Sequence, residues 1–154
     1  MSLHQERWND EERARKYAKQ SGLVSRLLYA PFAQKGLAYL SPSQLEPTIV
    51  DLGCGPGHLA VELARLRPQA RIVCIDPSSE MLQLAGQNVV DAGLANCEAS
   101  LGDAEQIPLE SDSVDLILSQ SSFHEWRDQQ KGLLEIRRVL KPGGSLILKD
   151  YNLA

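Results

Sequence analysis

No run of about 18 apolar residues occurs in this 154-residue sequence, so no segment has the length and hydrophobicity of a membrane-spanning helix. Nor does a basic leader precede a hydrophobic block of the kind that directs secretion, and the expected location is the cytoplasm. Cysteine is scarce: Cys54, Cys74 and Cys97 form an odd set without metal-ligand spacing, so no metal site is expected. Two of them sit in apolar strand-like runs, where a thiol packs as a small hydrophobe, and all three read as structural. Positive charge is short as well. The net charge is -4, with seven Lys/Arg against four Asp/Glu up to Leu40 and nine against sixteen from Ser41 onward. Phosphate contacts need clustered cations, so nucleic acid is not an expected partner of this acidic body, and the N-terminal basic residues read as a solvated helix face.

What remains is a composition of 43% apolar and 23% charged residues, suited to a single globular unit with a substantial core. Residues 1–40 read as helical. An Asn9 cap followed by Asp10, Glu11 and Glu12 suits the positive end of a helix dipole, and Gly22 ends that helix. A second helical pattern runs through Leu27 and Leu28, is expected to break at Pro31, and resumes to Leu40. The SPSQLEP stretch reads as a linker. From Thr48 onward, short apolar runs alternate with amphipathic helix patterns: TIVDLG, ARIVCID, a weaker run from Cys97 to Leu101, SVDLILSQ and SLILKDY. Strands apolar throughout and separated by helices predict an α/β fold with a doubly wound, mostly parallel sheet. In such sheets ligands bind just beyond the carboxyl ends of strands. Residues 41–154 are therefore expected to form one compact core.

Directly after the first strand stands Asp51-Leu52-Gly53-Cys54-Gly55-Pro56-Gly57. A dinucleotide fingerprint, G-x-G-x-x-G, would require its last glycine at position 58, which is His58. The spacing excludes that reading. Pro56 also removes an amide donor from any phosphate cradle. A ligand without phosphate, carrying an amino-acid tail and a vicinal diol, suits bare backbone at Gly53 and Gly55 together with an acceptor pair at Asp76, about twenty residues on.

The D-L-G-C-G-P-G stretch resembles the first motif of the class I S-adenosylmethionine-dependent methyltransferases. The later pieces follow that family in order: IVCIDPS with Asp76, Gly102-Asp103-Ala104, AEQIPLESDSVDLILSQSSFHEW, and EIRRVLKPGGSLIL. The resemblance runs from about Thr48 to Asp150. It implies a Rossmann-like core and S-adenosylmethionine as methyl donor. Asp51, Gly53, Cys54, Gly55, Gly57, Asp76, Pro77, Met81, Asp103, Ala104 and Ser119 are then the cofactor-binding set, with Asp76 on the ribose and Asp103 and Ala104 toward adenine. It also implies an N-terminal lid, in which Trp8, Tyr17, Leu23 and Leu27 offer an apolar face. Tyr17 either reaches the donor's amino-acid end or simply packs.

The acceptor is expected over Ser119 to Trp126, where His124 is the one group able to take a proton near neutral pH, as a base or as a residue shaping the pocket. Trp126 reads as a cover over the apolar core. Members of the family usually continue past the fifth strand with a helix and an antiparallel strand pair, whereas this sequence stops at Ala154. Three readings stay open: a piece of a longer chain, a reduced member of the family, or a strand edge covered by another chain, a homodimer among the options. The reading is a methyltransferase acting on a small-molecule acceptor; the alternative is a non-catalytic S-adenosylmethionine-binding regulatory or accessory protein.

Overall fold

The computed structural model describes residues 10–13, 15–16 and 25–151. Five strands, β1 (Thr48–Leu52), β2 (Arg71–Asp76), β3 (Cys97–Leu101), β4 (Val114–Gln120) and β5 (Leu140–Lys149), form one sheet in the order β3-β2-β1-β4-β5. Every pairing is parallel. The helices that cover it among the described residues are α1 (Ser25–Leu37), α2 (His58–Leu66), α3 (Ser79–Asp91) and α4 (Gln129–Val139). The doubly wound architecture expected from the sequence is the one observed.

The two faces follow from alternation along the central strands. Ile49, Ile72, Cys74, Leu116 and Leu118 turn toward α1, α2 and α3, where they pack with Phe32, Leu59 and Leu63. Val50, Val73, Ile75 and Ile117 turn the other way, onto Ile136 and Val139 of α4 and onto Ile107. Each fully buried Leu, Ile or Val contributes about 1.5–3 kcal/mol over its exposed state. Strand β3, at one edge, is mostly exposed, which accounts for its weaker apolar signal.

Three details depart from the sequence reading. Pro31 does not break its helix: α1 continues through it to Leu37. Proline has no N–H for the carbonyl four residues back, but that residue, Leu27, is 82% exposed, so water can serve the carbonyl. The same exposure means that Leu27 contributes no docked face. On α1 the buried residues are instead Phe32, Ala33 and Gly36. Phe32 and Ala33 belong to the same cluster as residues of β1 and β2, so packing is continuous across position 40. Lastly, β5 begins at Leu140 rather than at Ser145, with a register irregularity opposite Val114 and Leu116 that absorbs Pro142 and Gly143.

Below the sheet, at the amino ends of the strands, Asp115 ties the pieces together. Its carboxylate accepts from Thr48 N at 2.8 Å, Gln44 Nε2 at 2.9 Å and Lys141 Nζ at 3.0 Å. The linker, β1, β4 and the start of β5 thus converge on one acid. Burial pushes its carboxyl up, but these donors outweigh it and hold the group below the ordinary carboxylate range.

Candidate functional site

Strand order reverses between β1 and β4, and the cavity opens at their carboxyl ends, as expected for a topological switch point. The loop after β1 is built by three glycines with positive φ: Gly53 (72°), Gly55 (52°) and Gly57 (79°). They do different work. A Cβ on Gly53 would sit 2.2 Å from Ser122 Oγ, so its bareness admits the loop that follows β4. A Cβ on Gly57 would meet Ala85 Cβ at 2.8 Å, so this glycine lets α2 start hard against α3. Gly55 meets nothing within 4 Å among the described residues. A side chain there would stand in open space. The loop is pinned from behind by Gly53 N and Cys54 N, which donate to Ile75 O at 2.8 and 3.0 Å.

Two carboxylates stand beside this loop. Asp51, 2% exposed, accepts from Ala60 N at 3.1 Å. Burial pushes its pKa up to about 7; the Ala60 amide pulls it down in part, and the neighbouring charge of Asp76 adds to the rise. Asp76 ends β2 and is also buried; its Oδ2 accepts from Gly55 N at 2.8 Å and its Oδ1 from Ser78 N at 2.9 Å. Ser78 caps α3 by accepting from Met81 N, which leaves Asp76 to the cavity rather than to the helix end.

The cavity has a volume of about 360 Å³, within the range of small-molecule sites. Of the residues expected from the sequence, Asp51, Gly53, Cys54, Gly55, Asp76, Pro77, Met81, Asp103, Ala104 and His124 line it. Gly57 does not; it is spent on helix packing. Ser119 does not either: it is 1% exposed, and its Oγ has no hydrogen-bond partner among the described residues. Tyr17, Trp8 and Leu23 lie outside the described residues. Asp103 Oδ1 accepts from the amides of Glu105 and Gln106, both at 2.9 Å, and so shapes the turn that carries Ala104.

Sequence reasoning missed Tyr29, Arg127 and Tyr151, which line the cavity; Gln120, Ser121 and Ser122, also in the lining, fall within the expected acceptor region but were not singled out. The rule that ligands sit just past a strand end pointed to that region, but nothing in the residue types of 120–122 marked any one of them. Ser121 has φ 57°, unusual for a residue with a side chain, and its amide donates to Lys149 O at 2.8 Å. Gln120 Oε1 is buried without a partner among the described residues. Trp126 stacks edge-on with Phe123, donates to Ser122 Oγ at 2.9 Å and packs on the α4 side of the core, in keeping with its expected covering role.

His124 lies in a short 3-10 turn, Phe123–Glu125, and is held from two sides by Asp150. Its amide donates to Oδ2 at 2.8 Å and its ring Nδ1 is 2.7 Å from Oδ1. Burial raises the Asp150 carboxyl, but these bonds and one from Tyr151 N win and leave it below its usual range. His58 instead packs near Tyr29, ring centroids 5.8 Å apart.

The thiols behave as expected of structural cysteines. All three are free. The thiol of Cys54 is drawn down by Cys74 beside it but pushed up overall, to about 11, by burial and by Asp51 and Asp76, which makes it a poor nucleophile. Among the described residues no group of three or more His, Cys, Asp or Glu is placed to hold a metal, and no helix is long and apolar enough to cross a membrane.

Comparison with known proteins converges on one family. Residues 46–154 match the family described as methyltransferase domain. An uncharacterised methyltransferase of Mycobacterium tuberculosis is 40% identical over 98 residues, covering 64% of this chain and 37% of its own length. The uncharacterised methyltransferase YcgJ of Bacillus subtilis is 30% identical over 106 residues, 69% of this chain and 41% of its own. The chain thus spans well under half the length of these curated relatives. Among solved structures, a protein of Methanococcus maripaludis described as an S-adenosylmethionine-dependent methyltransferase superposes with a TM-score of 0.83. It is 29% identical over 91% of this chain and 63% of its own. A methyltransferase of the same dependence from Aquifex aeolicus gives 0.74 at 27% identity, over 90% of this chain and 71% of its own.

Proposed function

Because this chain belongs to the class I S-adenosylmethionine-dependent methyltransferase family, we propose that it transfers the methyl group of S-adenosylmethionine to a small-molecule acceptor. The observation that carries the reading is the pairing of Gly55 with Asp76: an amide in the left-handed region, open on one side, 2.8 Å from a buried carboxylate at the switch point. The donor supplies an electrophilic methyl on a sulfonium and carries its own leaving group. Its shape suits the residues present. Gly53 and Gly55 leave room for the amino-acid end, and a Cβ at Gly55 would occupy that space. Asp76 offers two acceptor oxygens for a vicinal diol, while Met81 and Ala104 give apolar contact and Asp103 a polar one at the adenine end. Asp51 braces the loop through Ala60.

The protein's own work is mainly positioning. Holding donor and acceptor in line supplies about 7–11 kcal/mol of the barrier, so the wall formed by Gln120, Ser121, Ser122 and His124 sets which acceptor atom approaches. Helix α1 serves as a cover, with its Tyr29 at the cavity. The acidic charge balance from Ser41 onward favours a small acceptor over nucleic acid.

Two measurements test this. S-adenosylmethionine and S-adenosylhomocysteine should raise the melting temperature while NAD leaves it unchanged. Label from the donor methyl should pass into an extract of small metabolites. Stabilisation by NAD alone would reverse the reading; donor binding with no label transferred would leave a binding protein rather than an enzyme.

A further inference from the structure

The acceptor side of the cavity holds a histidine whose ring is oriented by a carboxylate from another strand end, 26 residues away. Asp150 follows β5 directly, and its side chain is 11% exposed. Its Oδ2 takes the His124 amide, and its Oδ1 faces ring Nδ1 at 2.7 Å and also accepts from Tyr151 N at 2.7 Å. An ionised carboxylate only accepts, so the ring nitrogen facing it carries the proton and Nε2 keeps its lone pair. Among the described residues, the other acidic and aromatic groups against the ring are Glu125, whose Oε1 is 3.7 Å from Nε2 and so beyond hydrogen-bonding distance, and Tyr151, with ring centroids 6.4 Å apart. His124, Glu125 and Tyr151 all line the cavity.

We propose that Asp150 is a positioning residue that fixes His124 as a general base, and that the acceptor is therefore a protic group, a hydroxyl or an N–H, rather than a thioether or a tertiary amine. The proposal rests on the methyltransferase reading. In the step, His124 Nε2 takes the proton from the acceptor while the acceptor atom bonds to the methyl carbon. The carbon–sulfur bond breaks with its electron pair passing to sulfur. Positive charge moves from the sulfonium to the imidazole, where the Asp150 carboxylate receives it. A thioether or tertiary amine has no proton to lose and would leave the pair without a task.

Three N–H groups converge on Asp150, and Asp150→Asn turns one acceptor oxygen into a donor. Tyr151 is 69% exposed, so its amide can turn to water. The ring can move its proton instead, which puts hydrogen on Nε2 and blocks the base. Long-range nitrogen spectra of the 15N-labelled protein at about pH 8.5, above the ordinary histidine range, read this directly, with His124→Gln assigning the signal. The wild type should show the Nδ1–H tautomer and Asp150→Asn the Nε2–H tautomer, with S-adenosylhomocysteine affinity within twofold. Label transfer into the small-metabolite extract should fall at least tenfold in Asp150→Asn and His124→Gln. An Nε2–H ring in the wild type, which needs no variant to fold, or unchanged transfer in both variants, would overturn the proposal. Failure of the wild type to bind S-adenosylhomocysteine would instead strike the methyltransferase reading, because the ring spectrum needs no ligand.

Discussion

The two ends of the sheet each carry a buried aspartate on a central strand and treat it in opposite ways. At the amino end, Asp115 is surrounded by donors from the linker, β1 and β5, and its carboxyl is held low. At the carboxyl end, Asp51 has the Ala60 amide as its hydrogen-bond donor and a second acid nearby, and its pKa is pushed up to about 7. One end is satisfied and holds the fold together. The other leaves open space where a Cβ on Gly55 would stand and, among the described residues, an unpartnered Gln120 Oε1 that a ligand can complete. Stability and binding should therefore separate between the two ends.

The sharpest way to break that separation is at Asp76. Its carboxylate is the acceptor pair proposed for the donor's ribose, and a charge-assisted hydrogen bond is worth about 1.5–3 kcal/mol. Asp76→Ala should weaken S-adenosylmethionine binding about ten- to a hundredfold in calorimetry, while the variant still melts cooperatively. Unchanged affinity would remove Asp76 from the site. The counterpart at the other end is Asp115→Ala, which strands Thr48 N and Lys141. It should cost about 2 kcal/mol of stability, lowering the melting temperature by about 4–8 °C for a chain of this size. Affinity measured on the folded variant should not move.

Acid titration separates the same two groups. A carboxyl whose folded pKa lies above its unfolded value binds protons more readily when folded, so Asp51 lowers stability at pH 7 and returns it as pH falls toward about 4. A carboxyl held low, as Asp115 is, does the reverse: its contribution is present above the unfolded value and is lost as pH falls through the lower folded one. Between pH 7 and pH 5 Asp51 should dominate, adding about 1–2 kcal/mol. Asp51→Asn can still accept from Ala60 N, so its melting temperature should change less over that interval than that of the wild type. Parallel curves would mean that Asp51 does not titrate there.

How much of this was readable beforehand follows the range of the interactions. The element order, the glycine loop, Asp76 and the His124 region were legible because apolar period and local motif carry them within a few residues. What lay hidden depends on partners distant in sequence. Gly57 looked like part of a binding loop, yet its contact is Ala85 across a helix pair. Asp150 looked like the end of a strand, and only the neighbouring positions of β4 and β5 bring it to His124. Pro31 was read by its usual effect, which holds only where the lost carbonyl partner cannot be replaced by water. Tyr29 enters the cavity because α1 packs on α2, a fact no pattern within α1 contains.

The smallest effect gives the most controlled comparison, because two glycines differ mainly in which end they occupy. Gly55 has φ 52° in the loop after β1, and Gly143 has φ 81° near the start of β5; a Cβ added to either would meet no atom within 4 Å among the described residues. Alanine at either position meets no clash, so the cost is the left-handed backbone alone, about 1–2 kcal/mol for a residue with a side chain. Loss of freedom in the unfolded chain returns part of it, and each variant should be destabilised by about 1 kcal/mol in denaturant titration. Their binding should differ. The methyl at Gly55 projects into space a ligand needs, so Gly55→Ala should also lose about tenfold in S-adenosylmethionine affinity, equivalent to about 1.4 kcal/mol. Gly143→Ala should bind as the wild type does. Equal affinity in the two variants would mean that the ligand does not approach the backbone at Gly55, and the amino-acid end of the donor would have to lie elsewhere along the β1–β4 crevice.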